Sequence, residues 1–203
     1  QDYSSPDGDD STWRILSLPH DWSIEGDFSL DNPSTPGGGA LPGGIGWYRK
    51  TFTLPETDRG KVVYVDFDGV YRNSEVWING HSLGFRPNGY VSFRYDLTPY
   101  LRYGSQSNVI VVKADNSEQP NSRWYSGSGI YRNVWLVKVN PVHVDNWGTF
   151  VHDMKISPEE ATFSLEVRIR NSSEADREAE VSTSIYDDRN RVVTAPVTTL
   201  LRV

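Results

Sequence analysis

Ser74-Glu75-Val76-Trp77-Ile78-Asn79-Gly80-His81-Ser82-Leu83-Gly84 holds two short runs separated by an Asn-Gly dipeptide. Val76 and Ile78 flank Trp77 with the period of two expected of a half-buried strand. Asn79-Gly80 accepts positive φ at both central positions of a type I′ turn, so residues 74–78 and 81–84 are predicted to form a β-hairpin. Upstream, Val63, Val65 and Phe67 alternate with Val62, Tyr64 and Asp66, a second strand of the same kind. Further strands are predicted at residues 47–54, 90–96, 108–114 and 129–139, with turn-rich stretches between them. Short strands at such spacing are the pattern of a sandwich or jelly roll. Nothing reads as a long amphipathic helix, and the fold class is all-β.

Composition narrows the partners. The net charge of −7 comes without any Lys/Arg run, which argues against nucleic acid and anionic membranes, since both select clustered positive charge. No apolar run approaches the roughly 20 residues of a membrane-spanning helix, and residues 1–10 lack the basic and apolar regions of a signal peptide. Cys is absent, so disulfides, thiolate metal sites and a Cys nucleophile are excluded. The four His, at 20, 81, 143 and 152, show no metal-ligand spacing, and neither metal nor cofactor is expected. The 7 Trp and 11 Tyr beside 17 Gly and 12 Pro fit tight turns between strands. They also fit a sugar-facing surface, because a pyranose offers an apolar C–H face to an aromatic plane.

Residues 31–46 contain three Pro and six Gly with few apolar residues. This stretch is predicted to be a surface loop, either a mobile flap or, the preferred reading, a binding loop. After Asn140-Pro141 the texture changes. Ala161, Phe163, Leu165, Val167 and Ile169 interleave with Thr162, Ser164, Glu166, Arg168 and Arg170, a strand wet on one face. Polar turns at 171–178 and 187–191 separate it from Val181, Thr183 and Ile185 and from Val192. Three or so strands imply part of a second sandwich, truncated and immunoglobulin-like, since the complete form needs about seven strands. The boundary falls near 139–142, giving domains at 1–140 and 141–203. Residues 192–203 are expected to leave an unpaired edge.

Four segments, in order, resemble the N-terminal region of glycoside hydrolase family 2, and the bacterial β-galactosidase-like branch is the most similar. They are Leu18-Pro19-His20-Asp21-Trp22, Gly43-Gly44-Ile45-Gly46-Trp47-Tyr48-Arg49-Lys50, Phe67-Asp68-Gly69-Val70-Tyr71 through Val76-Trp77-Ile78-Asn79-Gly80, and Ser122-Arg123-Trp124-Tyr125-Ser126-Gly127-Ser128-Gly129-Ile130-Tyr131-Arg132. The resemblance implies a galactose-binding-domain-like jelly roll, then an immunoglobulin-like domain, then a TIM barrel holding two catalytic glutamates. It implies a carbohydrate partner, a terminal β-galactoside or similar, met together with that barrel, and a bacterial periplasmic or extracellular setting.

No catalytic residue is expected within this chain, because nothing makes a pair of carboxyl groups about 5–5.5 Å apart credible for retaining hydrolysis. The resemblance carries substrate contact onto Arg123 and Trp124, with Ser122 beside them, and onto the loop beginning at Gly43 and Gly44. A guanidinium forks hydrogen bonds to hydroxyls, and an indole takes a C–H face. No acid stands near Ser122 or Arg123, so the sodium site of some relatives is not carried over. Each residue also has a structural reading: Trp124 and Tyr131 sealing the end of the sandwich, Arg132 bonded to carbonyls or an acid, and His20-Asp21-Trp22 a turn rather than a catalytic pair. Two other functions compete, a stand-alone carbohydrate-binding module and a structural or adhesive pair of sandwiches.

Overall fold

In the computed structural model the description covers residues 3–203; Gln1 and Asp2, which open the expected first domain, and the side chain of Asp153 lie outside the described residues. Two compact units emerge, Gln1–Lys138 and Val139–Val203. The first holds β1 (Gly44–Thr53), β2 (Val62–Phe67), β3 (Ser74–Ile78), β4 (His81–Arg86), β5 (Phe93–Asp96), β6 (Ser107–Asn116) and β7 (Val134–Val139). One sheet runs β1-β6-β3-β4 and the other β5-β2-β7. Val65 and Phe67 from the second sheet meet Val76, Ile78, Val112 and Ala114 from the first in a single buried cluster. Two sheets sharing one core make a β-sandwich, and each fully buried side chain of this kind stabilises it by about 1.5–3 kcal/mol.

The hairpin forms at the predicted turn, with φ of 50° at Asn79 and 84° at Gly80. Asn79 does more than permit the turn. Its side-chain amide donates to the Tyr100 carbonyl at 2.7 Å and to Asn108 Oδ1 at 2.9 Å, while its Oδ1 accepts from the Val109 amide at 2.8 Å. Asn108 is itself fully buried and holds both backbone polar groups of Arg102 at 2.8 Å. The pair fastens the hairpin to β6 by satisfying backbone groups that would otherwise be stranded in the interior.

Two first-unit strands are shorter than expected. β5 begins at Phe93 rather than residue 90, because the Tyr90 amide donates to the Asn88 side chain at 2.8 Å and a local turn displaces the ladder. β7 begins at Val134 rather than residue 129. Gly129 has φ of 115° and makes only an isolated bridge with Tyr71, a backbone shape that extended pairing excludes.

The second unit holds β8 (Val142–Ile156), β9 (Ala161–Asn171), β10 (Glu178–Thr183) and β11 (Val197–Arg202), paired β8-β9 and β10-β11. One expectation is corrected: the unit contains a long strand, β8, that the sequence reading missed. Residues 197–202 lie in register with β10 from Glu178↔Arg202 to Thr183↔Val197, and because β10-β11 is a sheet of two strands, the other side of β11 pairs with no strand among the described residues, in line with the edge expected over 192–203. β8 was hidden by a bulge. Its register with β9 jumps between Val144 and Thr149, and Trp147 within the jump has φ of 53°. The bulge is held by Asp145, whose carboxylate takes two bonds of 2.9 Å from Arg170. That guanidinium holds the Asp145 carboxyl down to about 2, against an ordinary 3.8.

Two predictions follow from this packing. A Cβ at Gly129 would lie 2.1 Å from the Tyr48 hydroxyl and 3.0 Å from the Trp22 ring, so Gly129→Ala should lower stability by roughly 3 kcal/mol in urea unfolding, from overpacking plus the left-handed φ. Unchanged stability would refute that crowding. The Asp145 carboxyl is depressed in the folded state, so its contribution is fully present above its unfolded value and is lost as pH falls through about 2. Asp145→Asn should therefore flatten the loss of thermal stability between about pH 4 and 2, and an unaltered acid limb would count against the Arg170 pairing.

Candidate functional site

The segment carrying Ser122, Arg123 and Trp124 spans residues 117–129, between β6 and the Gly129 bridge. It contains no strand, yet it is tied down along its length by polar contacts. Asn116, the last residue of β6 and only 2% exposed, donates to the Gly127 carbonyl at 2.9 Å and to Ser128 Oγ at 2.8 Å. Its Oδ1 accepts from Gln119 at 2.8 Å and Asn121 at 2.6 Å. One buried amide thus clasps both arms of the loop, with its donors and acceptor all engaged.

Asp21 holds the descending arm from the other side. One carboxylate oxygen accepts from the backbone amides of Ser23 at 2.9 Å and Ser128 at 2.8 Å, and the other accepts from the Tyr125 hydroxyl. Burial first, and the neighbouring Asp21 charge second, push the Tyr125 hydroxyl well above the usual tyrosine range, so it is a neutral donor at ordinary pH. Backbone bonds from His20 to Ile130 at 2.8 Å and from Trp22 to Ser128 at 3.1 Å lay this segment beside the loop. His20 faces the other way, its Nδ1 sharing a hydrogen bond with Tyr48 at 2.8 Å. Burial pushes Tyr48 up to about 12. His20 and Asp21 thus serve different neighbours and make no bond to each other among the described contacts.

All four segments of the sequence resemblance meet around Gly129. Its α-carbon lies against Trp22 and Tyr48, its backbone bridges Tyr71, and Trp22 in turn covers Gly46 so closely that a Cβ there would lie 2.4 Å from the indole.

At the tip, Trp124 is 60% exposed, and its Nε1 donates to the Tyr90 hydroxyl at 3.1 Å. Tyr90 stands edge-on to buried Tyr71 at 5.3 Å. Tyr71 donates to Asn121 at 3.2 Å, and Gly89 fits against its ring where a Cβ would lie only 2.1 Å away. Tyr131 donates to the Gly89 carbonyl at 2.7 Å, and Arg132 lies over the Tyr131 ring and donates to the Asp68 carbonyl. Residues 87–92 and the 117–129 loop therefore brace one another, and the indole is fixed by a bond at its edge while remaining largely exposed.

Arg123 is exposed and, among the described residues, has no hydrogen-bond or ion-pair partner. Ser122 donates to the Trp124 carbonyl at 2.7 Å and shapes the tip. Gly43 and Gly44 sit at the root instead, Gly43 pressed on the Asn116 carbonyl and Gln119, and Gly44 paired with Asn116 as β1 begins. The Pro- and Gly-rich stretch before them is a folded lobe. Ser34 exchanges hydrogen bonds of 2.7 and 2.9 Å with both backbone groups of Leu41, Asn32 donates to the Asp27 and Ala40 carbonyls, and Gly39 backs the Tyr125 ring.

Sequence reasoning missed Asp21, Tyr90, Tyr125 and Asn116 as site residues. Asp21 was in plain view within a quoted segment, but its partner Ser128 lies 107 residues away, and no local pattern reports such a contact. Among the described residues, no three His, Cys, Asp or Glu side chains gather where they could hold a metal ion.

Comparison with known proteins agrees with this architecture. The family model for glycosyl hydrolases family 2, sugar binding domain, matches residues 27–140. The β-galactosidase BoGH2A of Bacteroides ovatus is 56% identical over 184 residues, covering 91% of this chain and 22% of that protein. A putative β-glucuronidase of Formosa agariphila is 46% identical over 171 residues, covering 84% of this chain and 16% of that protein. A solved β-glycosidase from Bacteroides vulgatus superposes with a TM-score of 0.90 at 45% identity, over 98% of this chain and 25% of that one. A glycosyl hydrolase family 2 member from Bacteroides cellulosilyticus gives 0.92 at 37% identity, over 98% of this chain and 26% of that one. The chain thus spans about a sixth to a quarter of the length of such relatives. With more than half of its residues under that model and its whole sandwich shared with those structures, the chain belongs to glycosyl hydrolase family 2, whose sugar-binding domain it carries.

Proposed function

We propose that this chain supplies one wall of the sugar pocket of a retaining β-glycosidase, the pocket being completed by a TIM barrel that carries the two catalytic glutamates. The substrate class is a terminal β-galactoside. Support for that choice comes from the β-galactosidase of Bacteroides ovatus, at 56% identity. The observation that carries the reading is the tip of the 117–129 loop, where an exposed Arg123 with no partner among the described residues and a 60% exposed Trp124 stand on a base fixed by Asn116 and Asp21.

Each group suits a pyranose. The largely exposed indole can take the C–H side of the ring, and its N–H is already engaged by Tyr90. Arg123 offers a fork of donors to hydroxyls and needs no neighbour to be displaced. Ser122 contributes through the turn it closes, and Gly43 and Gly44 through the root of the loop. Rigidity matters because ordering a floppy tip would cost free energy at each binding event. A single wall still leaves most of the sugar in water, so the chain alone binds sugar in the millimolar range and does not cleave it.

In NMR titrations with methyl β-galactoside, the Trp124 indole N–H signal should shift without saturating below millimolar concentrations, and Trp124→Ala should remove the response of neighbouring Tyr90. Purified chain should leave nitrophenyl β-galactoside intact. Enzyme-like turnover by the chain itself, with contaminating enzyme excluded, would overturn the assignment, as would a Trp124 signal indifferent to sugar.

A further inference from the structure

The Leu18–Trp22 segment has two sides, and only the Asp21 side belongs to the loop described above. On the His20 side lies a cleft of about 250 Å³ lined by Trp13, Leu16, Trp22, Ile45 and Trp47, with Arg14, His20 and Tyr48 among them. Its aromatic walls are braced. Tyr3 stands edge-on to Trp13 at 5.1 Å and to Trp47 at 5.6 Å, and Trp47 stacks on Trp77 at 5.6 Å and 25°. The Trp13 amide closes a turn on the Asp10 carbonyl at 2.9 Å. Ile45 and Leu16, 52% and 37% exposed, form part of an open rim.

The polar groups of the cleft form one network. Arg14 bonds His20 Nε2 at 2.8 Å and pairs with Glu25, whose other oxygen lies 3.2 Å from the same nitrogen. His20 thus links the Arg14–Glu25 pair on one ring nitrogen to the Tyr48 hydroxyl on the other. The Arg14 and Glu25 charges cancel, and both side chains remain about half exposed, 59% and 43%. The charge of Arg14, which lines the cleft, is therefore balanced by Glu25 just beside it, next to braced aromatic rings.

We infer that this cleft is a second saccharide-binding site, separate from the loop tip, that takes one neutral pyranose residue. The volume accommodates a single ring. The indoles of Trp13 and Trp47 receive its C–H face, and Arg14, its charge balanced by Glu25, donates to its hydroxyls beside the His20 and Tyr48 polar groups. A charged sugar gains nothing, because either sign meets an equal opposing charge. The site does no chemistry; it holds a residue of a longer glycan to the outside of the sandwich.

The experiment uses the whole chain with ¹⁵N-labelled indoles, titrated with methyl β-galactoside and with methyl β-glucuronide. Trp13 and Trp47 signals should shift together and saturate in the millimolar range with the neutral glycoside, and the glucuronide should bind no better. Trp13→Ala should weaken the Trp47 response about tenfold, the value of one lost stacking contact, and leave the Trp124 response unchanged. Arg14→Gln, which keeps both indoles, should weaken it as well. Trp13 and Trp47 signals that ignore both sugars, or a Trp47 response untouched by Trp13→Ala, overturn the inference. Those results are separate from the Trp124 signal, on which the pocket-wall reading stands or falls.

Discussion

The Asp21 carboxylate is the constraint on which the functional part of this molecule depends. Two backbone amides and a phenol converge on it; Tyr125 and Ser128 belong to a stretch with no regular secondary structure, and Ser23 opens a single 3-10 turn. Loops ordinarily satisfy their backbone by facing water. Here a charged acceptor in a half-buried place substitutes for water, and charge-assisted bonds are stronger than neutral ones. Asn116 repeats the device on the other arm with a neutral amide. The loop is thereby as definite in shape as a strand while remaining free to carry side chains that no strand could present at its end.

The hydrophobic core plays a different part. Val65, Phe67, Val76, Ile78, Val112 and Ala114 keep the two sheets together, and none of them touches the loop tip. What joins core to site is close backbone packing. Gly129, Gly46 and Gly89 sit where any side chain would strike Tyr48, Trp22 or Tyr71, so three aromatic rings can lie directly on main chain. Much of the glycine in this sequence serves that purpose rather than tight turns.

This explains what could and could not be read beforehand. Alternation and the Asn79-Gly80 dipeptide report contacts between near neighbours, and they located the central hairpin, the strand at 62–67 and β9 well. β8 escaped because four residues of bulge break its period, and β11 escaped because Val197-Thr198-Thr199-Leu200-Leu201-Arg202 does not alternate cleanly. The same limit applies to the site. Arg123 and Trp124 were reached through the family resemblance, whereas Asp21 and Tyr90 matter through partners far away in sequence, and a carboxylate in a turn looks the same whether it anchors a loop or simply faces solvent.

The segment from Leu18 to Trp22 shows how one local rule can divide labour. Successive side chains in an extended chain point to opposite sides, so His20 and Asp21 serve different neighbourhoods although they are adjacent. Asp21 organises the loop; His20 joins Arg14, Glu25 and Tyr48 in the cleft. A shift of this segment by one residue would place an imidazole against the Ser128 amide in one direction, or a carboxylate against the Tyr48 hydroxyl in the other. An imidazole nitrogen could not accept from two amides and a phenol at once, as the carboxylate does. The register is therefore fixed by donor and acceptor counting on both sides, and the opposite facing of two adjacent side chains is what separates the two roles.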